Sequence, residues 1–408
     1  MKTKLRKFLR QSDLFSLLLS ILCTLPFSNP LKLKFAFLFL QSDGARYKQD
    51  KVLKLAIDLL SNFSLSETSA IGKSAMVKAP VIETGQIKEK GVIIIGFEHE
   101  LDKLAKFKKL DTVIQQYDIL FMPTWQPFYS KELIRFLSRA PKSLVILPSS
   151  QQCYYSGLFN EKIERILPFH ASSWINGELF QPKPKDIDIL MVANFSIYKR
   201  HYLLFEALQY LPSNLNVVLI GRPLGDRTLD VLMQEAKHYG VEARFTIIEG
   251  PENEIVIDNL CRAKLVLGLS GREGSYVSLA EALFANCAVG IYEDAVVGTK
   301  NYINPSTGFL LAPTIPLHTQ ISKCLGLVDS LAPRDWAMSN IESKVNVAKL
   351  NKLLKYETYH RGVDWQKDCQ QFYIQSFNFY PTSGKWNEFI AESLQDLADI
   401  GLTFKHQS

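Results

Sequence analysis

The sequence predicts an α/β protein made of two Rossmann-like, doubly wound parallel-sheet domains facing a cleft. Three observations predict it. At 408 residues the chain exceeds the size at which a single hydrophobic core stops growing. From Leu31 onward short apolar runs alternate with amphipathic stretches, the rhythm of βα units. That rhythm stops at residues 168–185 (PFHASSWINGELFQPKPK), where prolines stand at both ends, and then restarts, as at an inter-domain linker. The resulting division is a basic and apolar segment over 1–30, a first Rossmann-like domain over 31–167, a linker over 168–186, a second such domain over 187–335 and a helical extension over 336–408.

In the first half, Lys34 to Leu40 (KFAFLFL) reads as a buried strand and Gln41 to Ala45 as a polar loop. Lys48 to Ser61 carries apolar residues at helical spacing. Residues 64–88, rich in Ser, Lys and Gly, read as a long surface connection. Strands follow at Gly91 to Gly96, Asp118 to Met122 and Ser143 to Leu147, with a helix at Lys131 to Leu137. The second half reads as strands at 188–193, 216–221, 244–248 and 265–269, alternating with helices at 201–210, 228–238, 254–261 and 275–284. Met338, Ile341, Val345, Leu350 and Leu353 then lie on one stripe of a closing helix over Trp336 to Leu354.

The formal charge of +6 is concentrated at one end: residues 1–40 hold seven of the 47 Lys and Arg and only one of the 41 Asp and Glu. The rest of the chain is neutral, which argues against a nucleic-acid surface. The six cysteines, Cys23, Cys153, Cys261, Cys287, Cys324 and Cys369, form no Cys-x-x-Cys pair and read as buried thiols in a reducing compartment. A basic run, Met1 to Arg10, precedes the apolar Leu14 to Phe27. Three readings fit this layout: a helix docked on the protein or on an anionic membrane face through residues 1–28, a signal or anchor, and a plain tail. The first is adopted, which places the protein in the cytoplasm with peripheral contact at the inner face of the membrane.

The residues best suited to chemistry run from Glu273 to Glu281 (EGSYVSLAE), after the strand at Leu265 to Leu269. Two acids eight apart bracket a helix start, so they are separated by about 12 Å of helical rise. Between them the N–H groups of Gly274, Ser275 and Tyr276 are expected to point at the mouth of the domain, where the helix dipole favours an anion. Lys199 and Arg200 follow the first strand of the same half through the loop Asn194 to Tyr198. In a parallel sheet such loops gather on one edge, where ligands bind. An extended ligand with a central diphosphate and a hydroxyl-rich ring at each end suits this set.

With these pieces in place, the stretch from about Asp188 to Pro313 resembles the C-terminal domain of the group 1, retaining glycosyltransferases of the GT-B fold. The matching pieces are VANFSIYKR, NVVLIG, EGPENEI, CRAKLVLGLSGREGSYVSLAEALFANCAVG and STGFLLAP, in that order. The resemblance implies a transferase that takes a sugar from a nucleotide-sugar donor. It implies that Glu273 lies near the transferred sugar, Glu281 holds ribose hydroxyls, Lys199 and Arg272 face the diphosphate, and the backbone around Glu249 to Glu254 borders the base. Where the family has an arginine five residues before the lysine, this chain has Asn194, so that either Arg200 or Arg272 supplies the charge or donor binding is weaker than usual.

The first half then brings a glycan or lipid-linked acceptor, with His99, Asp43 and Gly44 as candidate residues and His170, Trp125 and Tyr129 as further ones. No cofactor is expected beyond the donor. No metal is expected either: Asp186-Ile187-Asp188 spells a D-x-D motif but runs into an apolar strand. A binding protein without turnover and a sugar-nucleotide epimerase are the rival functions.

Overall fold

The computed structural model describes residues 13–40, 49–61, 63–123, 130–140, 143–146, 163–374 and 385–405. These residues divide into two compact units. One comprises residues 1–168, 350–372 and 376–408, and the other residues 169–349 and 373–375.

The first unit opens with three helices, α1 (Asp13–Leu22), α2 (Asn29–Leu40) and α3 (Gln49–Ser61). Helix α2 takes the place of the strand expected at Lys34 to Leu40. A short apolar run has no period that separates strand from buried helix. Here Asn29-Pro30 opens a helix, since proline at the first turn costs no hydrogen bond, and Ala36, Phe39 and Leu40 are buried at helical spacing.

Residues 64–88, expected as a surface connection, contain four strands: β1 (Ser69–Ile71), β2 (Ser74–Lys78), β3 (Val81–Glu83) and β4 (Gln86–Glu89). Strands β3 and β4 form a hairpin whose turn, Thr84-Gly85, has positive φ at both residues, the geometry that matches strand twist. The polar composition misleads because β2, wholly buried, carries Lys78, which pairs with Glu89 at 2.6 Å. The Trp365 ring lies 3.4 Å from the Lys78 ammonium, and Glu89 also accepts the N–H groups of Gln366 and Lys367. A buried charge is tolerated only with such partners.

There follow β5 (Gly91–Gly96), α4 (Glu98–Lys106), α5 (Leu110–Gln116), β6 (Tyr117–Met122), α6 (Lys131–Arg139), β7 (Ser143–Ile146) and β8 (Ile163–Leu167). The sheet order is β2-β5-β6-β7-β8, parallel except for the antiparallel β2.

The second unit contains β9 (Ile187–Val192), α7 (His201–Leu208), β10 (Val217–Gly221), α8 (Leu229–His238), β11 (Thr246–Glu249), α9 (Asn253–Arg262), β12 (Ala263–Gly268), α10 (Val277–Phe284), β13 (Ala288–Tyr292), β14 (Gly308–Leu311), α11 (Leu317–Leu325) and α12 (Pro333–Asn340). Its six strands are all parallel, in the order β11-β10-β9-β12-β13-β14. This is the doubly wound arrangement, and its order reverses between β9 and β12. The four inner strands, β9, β10, β12 and β13, are almost wholly buried and read as apolar runs, whereas the edge strands β11 and β14 are partly exposed.

The closing helix is not continuous: it breaks at Ile341-Glu342, and α13 (Ser343–His360) follows. The stretch 336–408 is divided between the two units. Residues from Leu350 to Phe372 belong to the first, as do α14 (Lys385–Asp399) and β15 (Leu402–Phe404). Strand β15 pairs in parallel with β1, Ser69 opposite Leu402, and Ile390, Leu397 and Leu402 are fully buried in the first unit's core. Among the described residues no helix is long and apolar enough to cross a membrane.

Candidate active site

The loops that leave β9 and β12 lie side by side, because those strands are neighbours in the sheet and their carboxyl ends flank the reversal of strand order. This is where open α/β sheets form a ligand crevice.

The loop after β9 turns on Asn194, whose Oδ1 accepts the Ser196 N–H at 3.1 Å. A 3-10 turn over Ile197–Lys199 follows, and Arg200 adopts left-handed φ 59° before α7 starts. The turn aims Lys199 inward. Its Nζ lies 2.5 Å from Glu273 Oε1, with side-chain exposures of 8% and 14%, and 4.2 Å from the centre of the Tyr276 ring. Ser270 Oγ donates to the same Glu273 oxygen at 2.7 Å. Lys199 and Glu273, 74 positions apart in the chain, therefore meet at the switch point.

The loop after β12 is held by its neighbour. Glu273 N–H donates to Val296 O at 3.0 Å, Val296 N–H to Gly271 O at 3.0 Å, and Gly298 N–H to Gly274 O at 2.7 Å. Tyr276 closes the loop in a left-handed conformation, φ 55°. Two non-glycine residues with positive φ thus stand at this edge, Arg200 and Tyr276, and such strain concentrates where a loop must present groups to a ligand. Burial, and next the Glu273 charge, push the Tyr276 phenol well above its ordinary range, so it stays neutral.

Among the described residues the N–H groups of Gly274, Ser275, Tyr276, Val277 and Ser278 have no acceptor. They run from the loop into the first residues of α10, and open amides at a helix start are the kind of group that can hold an anion.

Arg200 makes no ion pair among the described residues, and its guanidinium lies over the backbone of Gly271, where a Cβ would collide with it. Gly221, at the end of β10, is required for the same kind of reason, since a Cβ there would overlap the carbonyl oxygen of Ala193. Arg272 is exposed, and Glu281 stands half-buried on α10, about one turn past its first residue, because the helix starts at Val277 and not at Gly274.

The hydroxyl of Ser275, a candidate for donor contact, faces the other way. It accepts the Ser172 N–H at 2.7 Å and lies 2.7 Å from His170 Nδ1 and 2.5 Å from Ser172 Oγ. Only its backbone faces the helix start. Thr299 Oγ1 donates to the Ser275 and Tyr276 carbonyl oxygens and lies 3.3 Å from Ser172 Oγ.

His170 is a buried support with its ring stacked on Tyr302 at 5.0 Å, and burial lowers its pKa to about 3. His201, the first residue of α7, is lowered to about 4 by burial and by the charges of Arg227 and Lys199. Both rings are neutral near pH 7. Ser172, Thr299 and His201 carry no motif, and only the three-dimensional packing exposes their part.

In the first unit His99 follows the carboxyl end of β5 and is exposed, with Nε2 3.0 Å from Glu100 Oε1. Glu100 also accepts the Gly72 N–H at 2.8 Å and both its oxygens accept from Lys103, so the cluster anchors β1 to α4. Asp43, Gly44, Trp125 and Tyr129 lie outside the described residues. Asp186 and Asp188 stand at the opposite edge of the sheet from Lys199. Asp186 pairs with Arg262 at 2.5 Å and Asp188 with Lys264 at 2.7 Å, so both serve the fold.

Residues 178–324 match the family model for the glycosyl transferases group 1, and the matched stretch contains every strand of the second unit, both loops and α10. This segment is a group 1 glycosyl transferase domain. Among curated proteins none matches the chain.

The solved structures similar to it include sucrose-phosphate synthase from Thermosynechococcus elongatus, 15% identical over 66% of this chain and 74% of that one, with a TM-score of 0.51. Anabaena HepE in complex with UDP is 16% identical over 65% of this chain and 78% of that one, TM-score 0.50. TarM is 16% identical over 74% of this chain and 58% of that one, TM-score 0.50. At such identities the likeness is one of fold, and the fold is that of the GT-B glycosyltransferases. Lys199 and Glu273 both lie within the matched segment.

Proposed function

We propose that the chain transfers a glycosyl group from a nucleotide-sugar donor to a hydroxyl of a glycan or lipid-linked acceptor, with retention of configuration. The observation that carries this reading is the Lys199–Glu273 pair beside the open amide groups of α10, at the switch point of a group 1 domain. HepE, which shares the fold, was solved with UDP, and a nucleoside diphosphate fits the same chemistry here.

In this account the diphosphate sits at the start of α10. Lys199 shifts from Glu273 to the phosphate oxygens, and Arg200 and Arg272 add positive charge. Glu273, released, accepts hydrogen bonds from the sugar, while Glu281 holds the ribose. The bond between the anomeric carbon and the phosphate oxygen breaks, its electron pair stays on the diphosphate, and the acceptor oxygen bonds the anomeric carbon. The acceptor proton passes to the departing phosphate oxygen. Fixed positive groups and amide dipoles stabilise the leaving charge in place of a metal ion.

A thermal-shift panel of nucleotide sugars, followed by product analysis with simple sugar acceptors, tests the proposal. Stabilisation by one donor and appearance of a glycosylated product are expected. A donor that binds but is never consumed would make the chain a binding protein, and conversion of the donor alone to its epimer would make it an epimerase. If no nucleotide sugar shifts the melting curve, the donor site itself is wrong.

A further inference from the structure

We propose that the helical pair α1–α2 is a docking face for an anionic lipid bilayer. The observation is a surface helix with apolar side chains on its outward as well as its inward side. A helix on a protein surface turns its polar face to water. Helix α1 buries Leu19 and Ser20, with Cys23 just beyond its end, and turns Leu17, Leu18 and Ile21 outward. Leu25 and Phe27 in the following turn, and Leu38 on α2, continue the exposure, which lies between 36% and 50% for the six side chains.

The patch is built into the fold. Leu19, Cys23, Ala36, Phe39 and Leu40 belong to the first unit's core, and the Phe27 ring packs on Phe35 with centroids 5.7 Å apart. The outward apolar side chains are thus held by a fixed platform. Exposed apolar side chains gathered on one helical pair mark an interaction site.

Charge selects the occupant. Lys34 is exposed one helical turn from Leu38, Lys32 is half-buried nearby, and neither makes an ion pair among the described residues. The sequence just before α1 adds Lys2, Lys4, Arg6, Lys7 and Arg10. Apolar side chains bordered by lysine match an interface in which acyl chains lie beneath anionic headgroups. Neither helix is long enough to span, so the contact is lateral, with α1 and the turn at Leu25 to Phe27 entering the headgroup boundary. The face now reaches to Leu38, beyond the first 28 residues, and it is independent of the transfer reaction.

Flotation of the full chain tests the proposal, with vesicles of phosphatidylcholine alone and of an equal mixture of phosphatidylcholine and phosphatidylglycerol. The expected result is flotation with the mixed vesicles, weaker by about tenfold with the neutral ones and reduced by added salt. Leu18→Glu with Ile21→Glu should abolish flotation at an unchanged thermal midpoint. Should that pair perturb folding, Lys32→Glu with Lys34→Glu leaves the apolar face intact and should weaken the preference for the mixed vesicles. Equal flotation with both vesicle types, or unchanged flotation of both variants, would overturn the proposal. So would a chain that floats with neither and forms a dimer dissolved by the Leu18 and Ile21 substitutions, for then a second copy covers the face.

Discussion

Lys199 and Glu273 share a short, mostly buried contact, and each has a further tie that fixes its position: the Tyr276 ring beneath the ammonium and the Ser270 hydroxyl on the carboxylate. Glu273→Gln keeps the shape and the Ser270 hydrogen bond but removes the charge. Turnover should fall by about 10²–10³-fold, as for loss of one transition-state partner, with little change in thermal midpoint. A transfer assay alongside a melting curve reads both.

Arg200 offers a sharper test, because its guanidinium lies against Gly271. Gly271→Ala should displace it and raise the donor KM roughly tenfold, close to the effect of Arg200→Ala. In the double variant the two effects should not add. Additive losses would mean that Gly271 acts on something other than Arg200.

At the scale of elements, the start of α10 is pinned from behind by the turn at His170 to Ser173. That turn carries a histidine which burial holds neutral down to about pH 3, and His201 at the start of α7 is held neutral down to about pH 4. The unfolded chain takes up protons on both rings below about pH 6.5. Between that pH and the folded pKa values the unfolded state binds more protons, so stability falls as pH falls. The stabilisation is complete above about 6.5, and by pH 5 each ring has cost on the order of 2 kcal/mol. Melting curves from pH 7.5 to 4.5 should show a flatter dependence for His170→Gln than for the parent chain. Parallel curves would show that His170 is not the titrating group.

At the scale of the whole molecule, the chain closes the unit it began. Strand β15 pairs with β1, where Ser69 N–H donates to Gly401 O at 2.9 Å and Lys405 N–H to Ile71 O at 2.7 Å. Helix α14 adds Ile390 and Leu397 to the first core. Each such buried side chain is worth about 2–5 kcal/mol. Removal of residues 376–408 should therefore lower the melting midpoint of the first unit by ten degrees or more, on the order of the loss of those side chains. In limited proteolysis its fragments should vanish first, while the group 1 domain persists. Survival of both units at the same protease concentration would contradict this.

What the sequence alone determined is the part in which each element declares its own period. The inner strands β9, β10 and β12 are buried on both faces and read as apolar runs, so they and the helices between them were legible to within about two residues. The proximity of Lys199 and Glu273 follows as well, because both stand just past the ends of neighbouring strands. The tertiary structure decided the rest, for reasons of context. KFAFLFL becomes a helix because Asn29-Pro30 starts one and a core receives its Ala36, Phe39 and Leu40. Residues 64–88 become strands because Glu89 and Trp365, distant in sequence, make it possible to bury Lys78. The Ser275 hydroxyl is claimed by His170 and Ser172, partners the local sequence does not point to, while its N–H stays at the helix start. A periodicity reports which face of an element is apolar. Which partner buries that face, or whether a lysine finds a carboxylate, depends on residues far along the chain, and only folding brings them together.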